Sequence, residues 1–283
     1  MFITRKVKGT KLKNIVEGFK NWLLVNKYHR SCALFVTLVS SIVSRRAVKV
    51  SYDGLDWIHS WATGSLVTSR PAFNAPTHTS ASLSLFTYGY QPVAGDVVLD
   101  IGAGVGTEVK AFSDWVGPHG RVFAVEADPE AFRRLEKLIR LLKLSNVKAL
   151  NFAVGDSEGV ALLTQDGADG LVNQIVENSE LLTVSVPMVT LDSLTVDLGL
   201  ERIDYVKMNI EGAERLALMG FNARSRAVEN WCVSCHDFLG LTEAMTLSFV
   251  TDWLCERYIS VTRHPTVHGS PWVGFYIYAS LRK

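Results

Sequence analysis

The spacing of apolar side chains changes period along this chain, and each change marks an element. Between residues 10 and 28 the apolar positions are Leu12, Ile15, Val16, Phe19, Trp22 and Leu23, the interval of a helix with one apolar stripe. Lys11, Lys13, Lys20 and Lys27 lie mostly off that stripe. The pattern is lost over residues 51–80, where Trp57, His59 and Trp61 stand among Ser, Thr, Gly and Pro, so irregular structure is expected there. From residue 96 it becomes regular. An apolar run at 97–101 ends in glycines and predicts a buried strand; 108–115 predicts a helix and 122–125 a strand. A helix opens at Pro129, whose missing N–H is harmless in a first turn, and runs to about residue 144. A third strand is expected over 147–154. Strands alternating with helices at this spacing imply right-handed crossovers and a parallel, doubly wound α/β sheet.

The later pattern predicts short strands at 160–163 and 184–189, a strand at 203–208, a helix at 211–219, a strand at 231–234 and a helix at 242–258. The closing segments, 259–263 and 272–279, have no helical pattern between them and should pair antiparallel. No internal repeat is visible.

A chain of 283 residues, 48% hydrophobic and 20% charged, suits one α/β domain with an extension. The expected division is 1–90, a basic and partly helical extension flanking or covering the active site, and 91–283, the main domain. A net charge of +1 conceals an asymmetry. Residues 1–50 carry eleven Lys or Arg against one acid, Glu17, whereas the remainder carries eighteen against twenty-seven. A basic arm suits an anionic membrane surface or nucleic acid, or it is a solvated helix. The apolar run at 33–43 is far shorter than the roughly 20 residues of a membrane span, and Arg45 and Arg46 follow it, unlike a signal peptide. Four cysteines in this length form no disulfide scaffold. A cytoplasmic location is expected, with peripheral contact at the inner face of the membrane through the basic helix.

The strongest chemical signal is Leu99-Asp100-Ile101-Gly102-Ala103-Gly104-Val105-Gly106-Thr107. Glycines between a buried strand and a helix permit positive φ and close approach of a ligand to free N–H groups. Gly102, Gly104 and Gly106 give G-x-G-x-G rather than the dinucleotide G-x-G-x-x-G, since position 107 is Thr. Asp100 would attract the ammonium of a bound amino acid and repel a pyrophosphate. Glu126, twenty residues past Gly106 at the end of the second strand, is placed to accept both ribose hydroxyls. Asp156 follows the third strand and either bonds an adenine amino group or forms a turn. Asn209 and Glu211 fall at the C-terminal edge of the fourth strand, where open α/β sheets bind ligands. Glu214 is read as complementing the dipole of the next helix.

The 102–106 loop, Glu126 with Asp128, the 153–156 turn and above all Lys207-Met208-Asn209-Ile210-Glu211-Gly212-Ala213-Glu214 together resemble the FkbM-type methyltransferases, over about residues 90–283. The resemblance implies the class I methyltransferase fold, a Rossmann-like, mostly parallel seven-stranded sheet with an antiparallel C-terminal strand. It implies S-adenosylmethionine as cofactor, with Asp100, Gly102, Gly104, Gly106, Glu126, Asp156 and Asn209 around it. The expected reaction is O-methylation of a hydroxyl on a sugar, a glycolipid or a secondary metabolite. The family usually has Asp where this chain has Asn209, and an amide cannot take a proton.

Removal of the hydroxyl proton is assigned to Glu211 or His236, because His and carboxylates are the usual general bases. Trp57 and Trp61 either stack on an acceptor sugar or pack internally. Cys232-Val233-Ser234-Cys235-His236 matches the haem attachment spacing, but it lies in an apolar strand and reads as two buried cysteines. No metal-ligand spacing is evident. Three other readings stay open: a fold-retaining protein that binds S-adenosylmethionine without catalysis, an NAD(P)-dependent oxidoreductase, and action on nucleic acid. The last is not expected, since the arm lacks interleaved aromatics.

Overall fold

A computed structural model of the chain describes residues 2–164, 175–176, 183–222, 227–240 and 245–281. It divides into two units, residues 1–78 and 79–283.

The first unit opens with two helices, α1 (Phe2–Val25) and α2 (His29–Ser44), that pack on one another. An antiparallel three-stranded meander follows: β1 (Val48–Tyr52), β2 (Trp57–Trp61) and β3 (Gly64–Thr68). Regular strands thus replace the irregular segment expected there, because the pairing register sends Trp57, His59, Leu66 and Val50 inward while Ser and Thr flank them. Leu23, Cys32, Val36, Val48, Val50 and Trp57 make the core of this unit. Trp57 is buried there, 4.9 Å from the ring of Tyr52, so it has no free face for a sugar; Trp61 also packs against this core.

The next elements are α3 (Ala75–Phe86), β4 (Val97–Ile101), α4 (Val109–Val116), β5 (Arg121–Val125), α5 (Pro129–Leu142), β6 (Val147–Leu150), β7 (Ala153–Gly155), β8 (Gly159–Thr164), β9 (Ile175–Val176) and β10 (Thr183–Thr190). The chain continues through α6 (Leu191–Asp197), β11 (Arg202–Met208), α7 (Glu214–Met219), β12 (Ala227–Ser234), α8 (Leu247–Cys255), β13 (Ser260–Arg263) and β14 (Tyr276–Ser280). The predicted start of the last helix, Thr242, lies outside the described residues. The expected single strand over 147–154 is two strands: Asn151 intervenes and donates to the carbonyls of Glu126 and Ala127, and β7 then joins β10 in a separate sheet of order β7-β10-β8-β9.

The main sheet has seven strands in the order β13-β14-β12-β11-β4-β5-β6. All its pairs are parallel except those of β14, which runs against both β12 and β13. This is the doubly wound sheet, with an antiparallel strand at the C-terminal end, that the sequence predicts. Side chains alternate across it. Val98, Val122, Tyr205 and Cys232 face one apolar layer with Phe112 and Phe86; Leu99, Ile101, Val125, Met208 and Trp231 face the other with Leu254 and Trp253. Cys232 and Cys235 are fully buried.

The order fixes the functional edge. From β4 the chain winds outward through β5 and β6, then returns to the other side of β4 as β11. The C-terminal ends of β4 and β11 are in register, Met208 opposite Ile101. Loops leaving two adjacent strands in opposite directions open a crevice at that point.

Candidate active site

The crevice is lined by the loop after β4 (Gly102 and Gly104), by Glu126 after β5, by Phe152, Ala153 and Val154, and by Asn209 and Glu211 after β11. It encloses about 700 Å³ including its open mouth.

The glycine loop is built by backbone contacts that exclude side chains. The N–H groups of Gly102 and Ala103 both donate to the Val125 carbonyl at 2.9 Å. Gly102 has φ +74°, and a Cβ there would stand 1.9 Å from the Asn209 carbonyl oxygen, so only glycine lets the two loops meet. Gly104, at φ +56°, has open space where a Cβ would stand. Gly106 differs from what the sequence suggested. It does not line the crevice; a Cβ there would lie 2.9 Å from Leu135 and 3.0 Å from Leu138. Its role is close packing of the loop on α5.

Glu126 is held by two backbone donors, Gly104 N–H to Oε2 at 2.7 Å and Asp128 N–H to Oε1 at 2.8 Å. Burial pushes its carboxyl up to about 7, and these same N–H groups restrain the rise. Asp128 caps α5, accepting from the Ala131 N–H at 2.6 Å, with Pro129 in the first turn as its sequence position implied.

Asp100 corrects the sequence reading. It is fully buried and does not line the crevice. Its Oδ1 lies 2.8 Å from Nζ of Lys207, so a lysine, rather than a ligand ammonium, meets its charge. Lys207, itself 1% exposed, also donates to the Gly102 carbonyl at 2.5 Å and lies 4.9 Å from the Phe86 ring centroid. Glu108, buried nearby and bonded to the Ser82 hydroxyl, shares the field of the same lysine; burial pushes its carboxyl up. The sequence reading included Lys207 in the distinctive motif at 207–214 but gave it no role. The signal was a lysine set between the apolar Val206 and Met208 of a buried strand.

Asp156 was read either as an adenine partner or as a turn residue, and its place in the structure is that of the turn. It is exposed, accepts from the Ser157 hydroxyl at 3.2 Å and lies outside the crevice lining. Before it, Gly155 ends β7 packed closely on Met188, where a Cβ would stand 2.5 Å from the sulfur. The wall that a flat ring would face here is apolar, made by Phe152, Ala153 and Val154.

Beyond β11, Glu211 adopts φ +54°, a left-handed conformation that costs a residue with a Cβ of order 1 kcal/mol or more. The conformation puts it in the crevice wall with Asn209. Its Oε2 lies 3.4 Å from Nε2 of His236. The other ring nitrogen, Nδ1, lies 2.8 Å from Oε1 of Glu214. Glu214 is fully buried, accepts from the Ile210 and Gly212 N–H groups at 3.3 Å each, and takes the Thr246 hydroxyl at 3.1 Å. It serves the helix end as expected, and in addition fixes the imidazole. Burial alone would push His236 down; the carboxylates of Glu211 and Glu214 outweigh it and hold the ring up at about 10. At neutral pH His236 is therefore an imidazolium. It is 3% exposed and absent from the crevice lining, so it is not the free base the sequence allowed. No group of three or more potential metal ligands occurs among the described residues.

The model of the FkbM methyltransferase domain matches residues 100–257. A protein-L-isoaspartate O-methyltransferase of Methanococcus aeolicus is 32% identical over 97 residues, 31% of this chain and 45% of that protein. Another, from Ignicoccus hospitalis, is 37% identical over 62 residues, 22% of this chain and 28% of that protein. The chain thus spans less than half the length of these relatives. Among solved structures, methyltransferase FkbM of Methylobacillus flagellatus superposes with a TM-score of 0.43 at 17% identity, covering 66% of this chain and 43% of that one.

Proposed function

The chain belongs to the FkbM methyltransferase family, and from that premise we propose that it transfers a methyl group from S-adenosylmethionine to a hydroxyl of a sugar, a glycolipid or a secondary metabolite. The observation that carries this reading is one crevice holding Gly104, Glu126 and Glu211 together.

The residues present suit that donor. Gly104 leaves room for a ligand against the backbone. Glu126 presents acceptor oxygens for a ribose diol, the role such an acid plays after the second strand of nucleotide-binding sheets. Phe152, Ala153 and Val154 offer an apolar wall to a nucleobase, and Asn209 supplies both a donor and an acceptor. When bound, S-adenosylmethionine supplies an electrophilic methyl group on a sulfur that is already a good leaving group.

The protein's own part is alignment and proton removal. Alignment counts as proximity. An alcohol oxygen must lose its proton during attack; of the carboxylates lining the crevice, Glu126 is assigned to the ribose and Asp128 caps α5, which leaves Glu211 to take it. His236 has both nitrogens engaged and cannot; it orients the Glu211 carboxylate. Asn209 cannot accept a proton either, so the Asp usual at that position in the family is not needed as the base in this reading.

A tritiated-methyl assay against lipid and polar extracts tests the proposal. Label should enter an alkali-stable ether. Label in an alkali-labile ester would point instead to carboxyl methylation, and absence of label from every fraction, with the donor bound, would favour a binding protein without catalysis.

A further inference from the structure

The first unit carries a surface unrelated to the crevice chemistry. Along α1, Ile15, Phe19 and Trp22 are 68%, 46% and 53% exposed. Along α2, Leu34, Leu38 and Ile42 are 73%, 61% and 68% exposed. Both sets recur at helical spacing, so each helix shows an exposed apolar stripe in addition to the face it buries through Leu23, Cys32 and Val36. The two helices are in contact beside the first stripe, where the Phe19 ring meets that of Phe35 on α2 edge to face at 4.9 Å. Exposed apolar side chains scattered singly need no explanation, but six in two rows at helical spacing do.

The surroundings say what covers this face. Residues 1–50 hold eleven basic residues and one acid, and that acid, Glu17, is paired with Lys20 at 2.6 Å. A groove at the turn between the helices is lined by Lys27, Tyr28, His29 and Arg30 together with Leu34, so positive charge adjoins the apolar stripe. Arg45 and Arg46 stand exposed at the other end of α2. Trp22 and Tyr28, in ring contact at 5.7 Å, are residue types favoured at the level of lipid headgroups. No described helix is long and apolar enough to cross a bilayer. Apolar side chains framed by cations and interfacial aromatics, on helices that do not span, describe a face that lies in a membrane surface.

We propose that α1 and α2 dock the protein on an anionic lipid bilayer, with Ile15, Phe19, Trp22, Leu34, Leu38 and Ile42 entering the headgroup boundary and Lys27, Arg30, Arg45 and Arg46 meeting lipid phosphates. The proposal stands independently of the methyl-transfer reading. It takes up the basic helix singled out in the sequence and extends it to a second helix that sequence pattern did not resolve as one.

Flotation of the full chain on vesicles tests it. One set is phosphatidylcholine alone and the other contains about 30% phosphatidylglycerol, which gives its surface the negative potential that attracts basic residues. Binding should be at least tenfold stronger to the anionic set and should fall as salt rises. The triple variant Leu34→Ser, Leu38→Ser, Ile42→Ser should lose flotation while keeping the wild-type circular dichroism and melting temperature, because these side chains are exposed. Arg30→Gln with Arg46→Gln should weaken binding by about fivefold per charge. Equal binding of wild type and both variants would overturn the proposal. So would equal binding to the two vesicle sets, or a wild-type dimer that the triple variant abolishes, since a second copy would then cover the face.

Discussion

Nε2 of His236 stands 3.4 Å from Oε2 of Glu211 while Nδ1 stands 2.8 Å from Oε1 of Glu214. Two carboxylates on one buried ring hold it protonated, and this has a thermodynamic consequence. A base whose value is raised by folding contributes stability that is fully present below its unfolded value near 6.5 and is lost as pH rises towards about 10. Replacing His236 by Gln should cost about 3–5 kcal/mol near pH 6, and the gap from wild type in denaturant melts should narrow steadily by pH 10. A gap that stays constant with pH would show that the ring is neutral in the fold.

The same pair separates proton acceptance from orientation. Glu211→Gln should lower turnover by about a hundredfold or more, with affinity for S-adenosylhomocysteine within about twofold of wild type, since the carboxylate acts on the acceptor. His236→Gln should lower turnover less, on the order of tenfold, by loosening Glu211. Comparing the two in single-turnover assays checks the order; a larger loss at His236 would assign it the proton.

Glu126 imposes a pH dependence of opposite sign. Ribose hydroxyls bond best to the ionised carboxylate, so binding lowers its value from about 7 and releases a proton. Affinity for S-adenosylhomocysteine should rise with pH up to about 7 and then level. Calorimetry at pH 6 in buffers of different ionisation enthalpy should detect the released proton, and flat affinity between pH 5.5 and 8 would remove Glu126 from the ligand.

Lys207 is the counterion of the interior beneath the glycine loop. Lys207→Met leaves Asp100 uncompensated, strips a donor from the Gly102 carbonyl and should destabilise by about 3–5 kcal/mol. Adding Asp100→Asn should recover part of that loss. Chemical denaturation of the single and double variants measures both; additive losses would mean the two residues are not coupled.

Much of this architecture was legible in sequence because it follows from local periodicity. The run at Val97–Ile101, Pro129 at a helix start and the apolar Arg202–Met208 strand each state their element directly. The glycine loop and Glu126 were legible because backbone conformation and strand-end spacing leave marks in residue type. What escaped depends on contacts distant in sequence. Asp100 read as a ligand group because its partner, Lys207, is 107 residues away and becomes its neighbour only when β11 pairs with β4. His236 read as a base because nothing local reveals that Glu214 reaches its second nitrogen. The meander of the first unit was hidden by its Ser and Thr positions, and α2 by an apolar run whose two faces are both nonpolar.

Binding of S-adenosylhomocysteine at pH 7.5 to the folded wild type and to Glu126→Ala, followed by isothermal titration, asks whether the crevice holds the donor. The wild type should show one site, and the variant an affinity weakened by about a hundredfold, the loss of two charge-assisted hydrogen bonds. No heat from the wild type, or equal affinity in the two proteins, would contradict donor binding in the crevice.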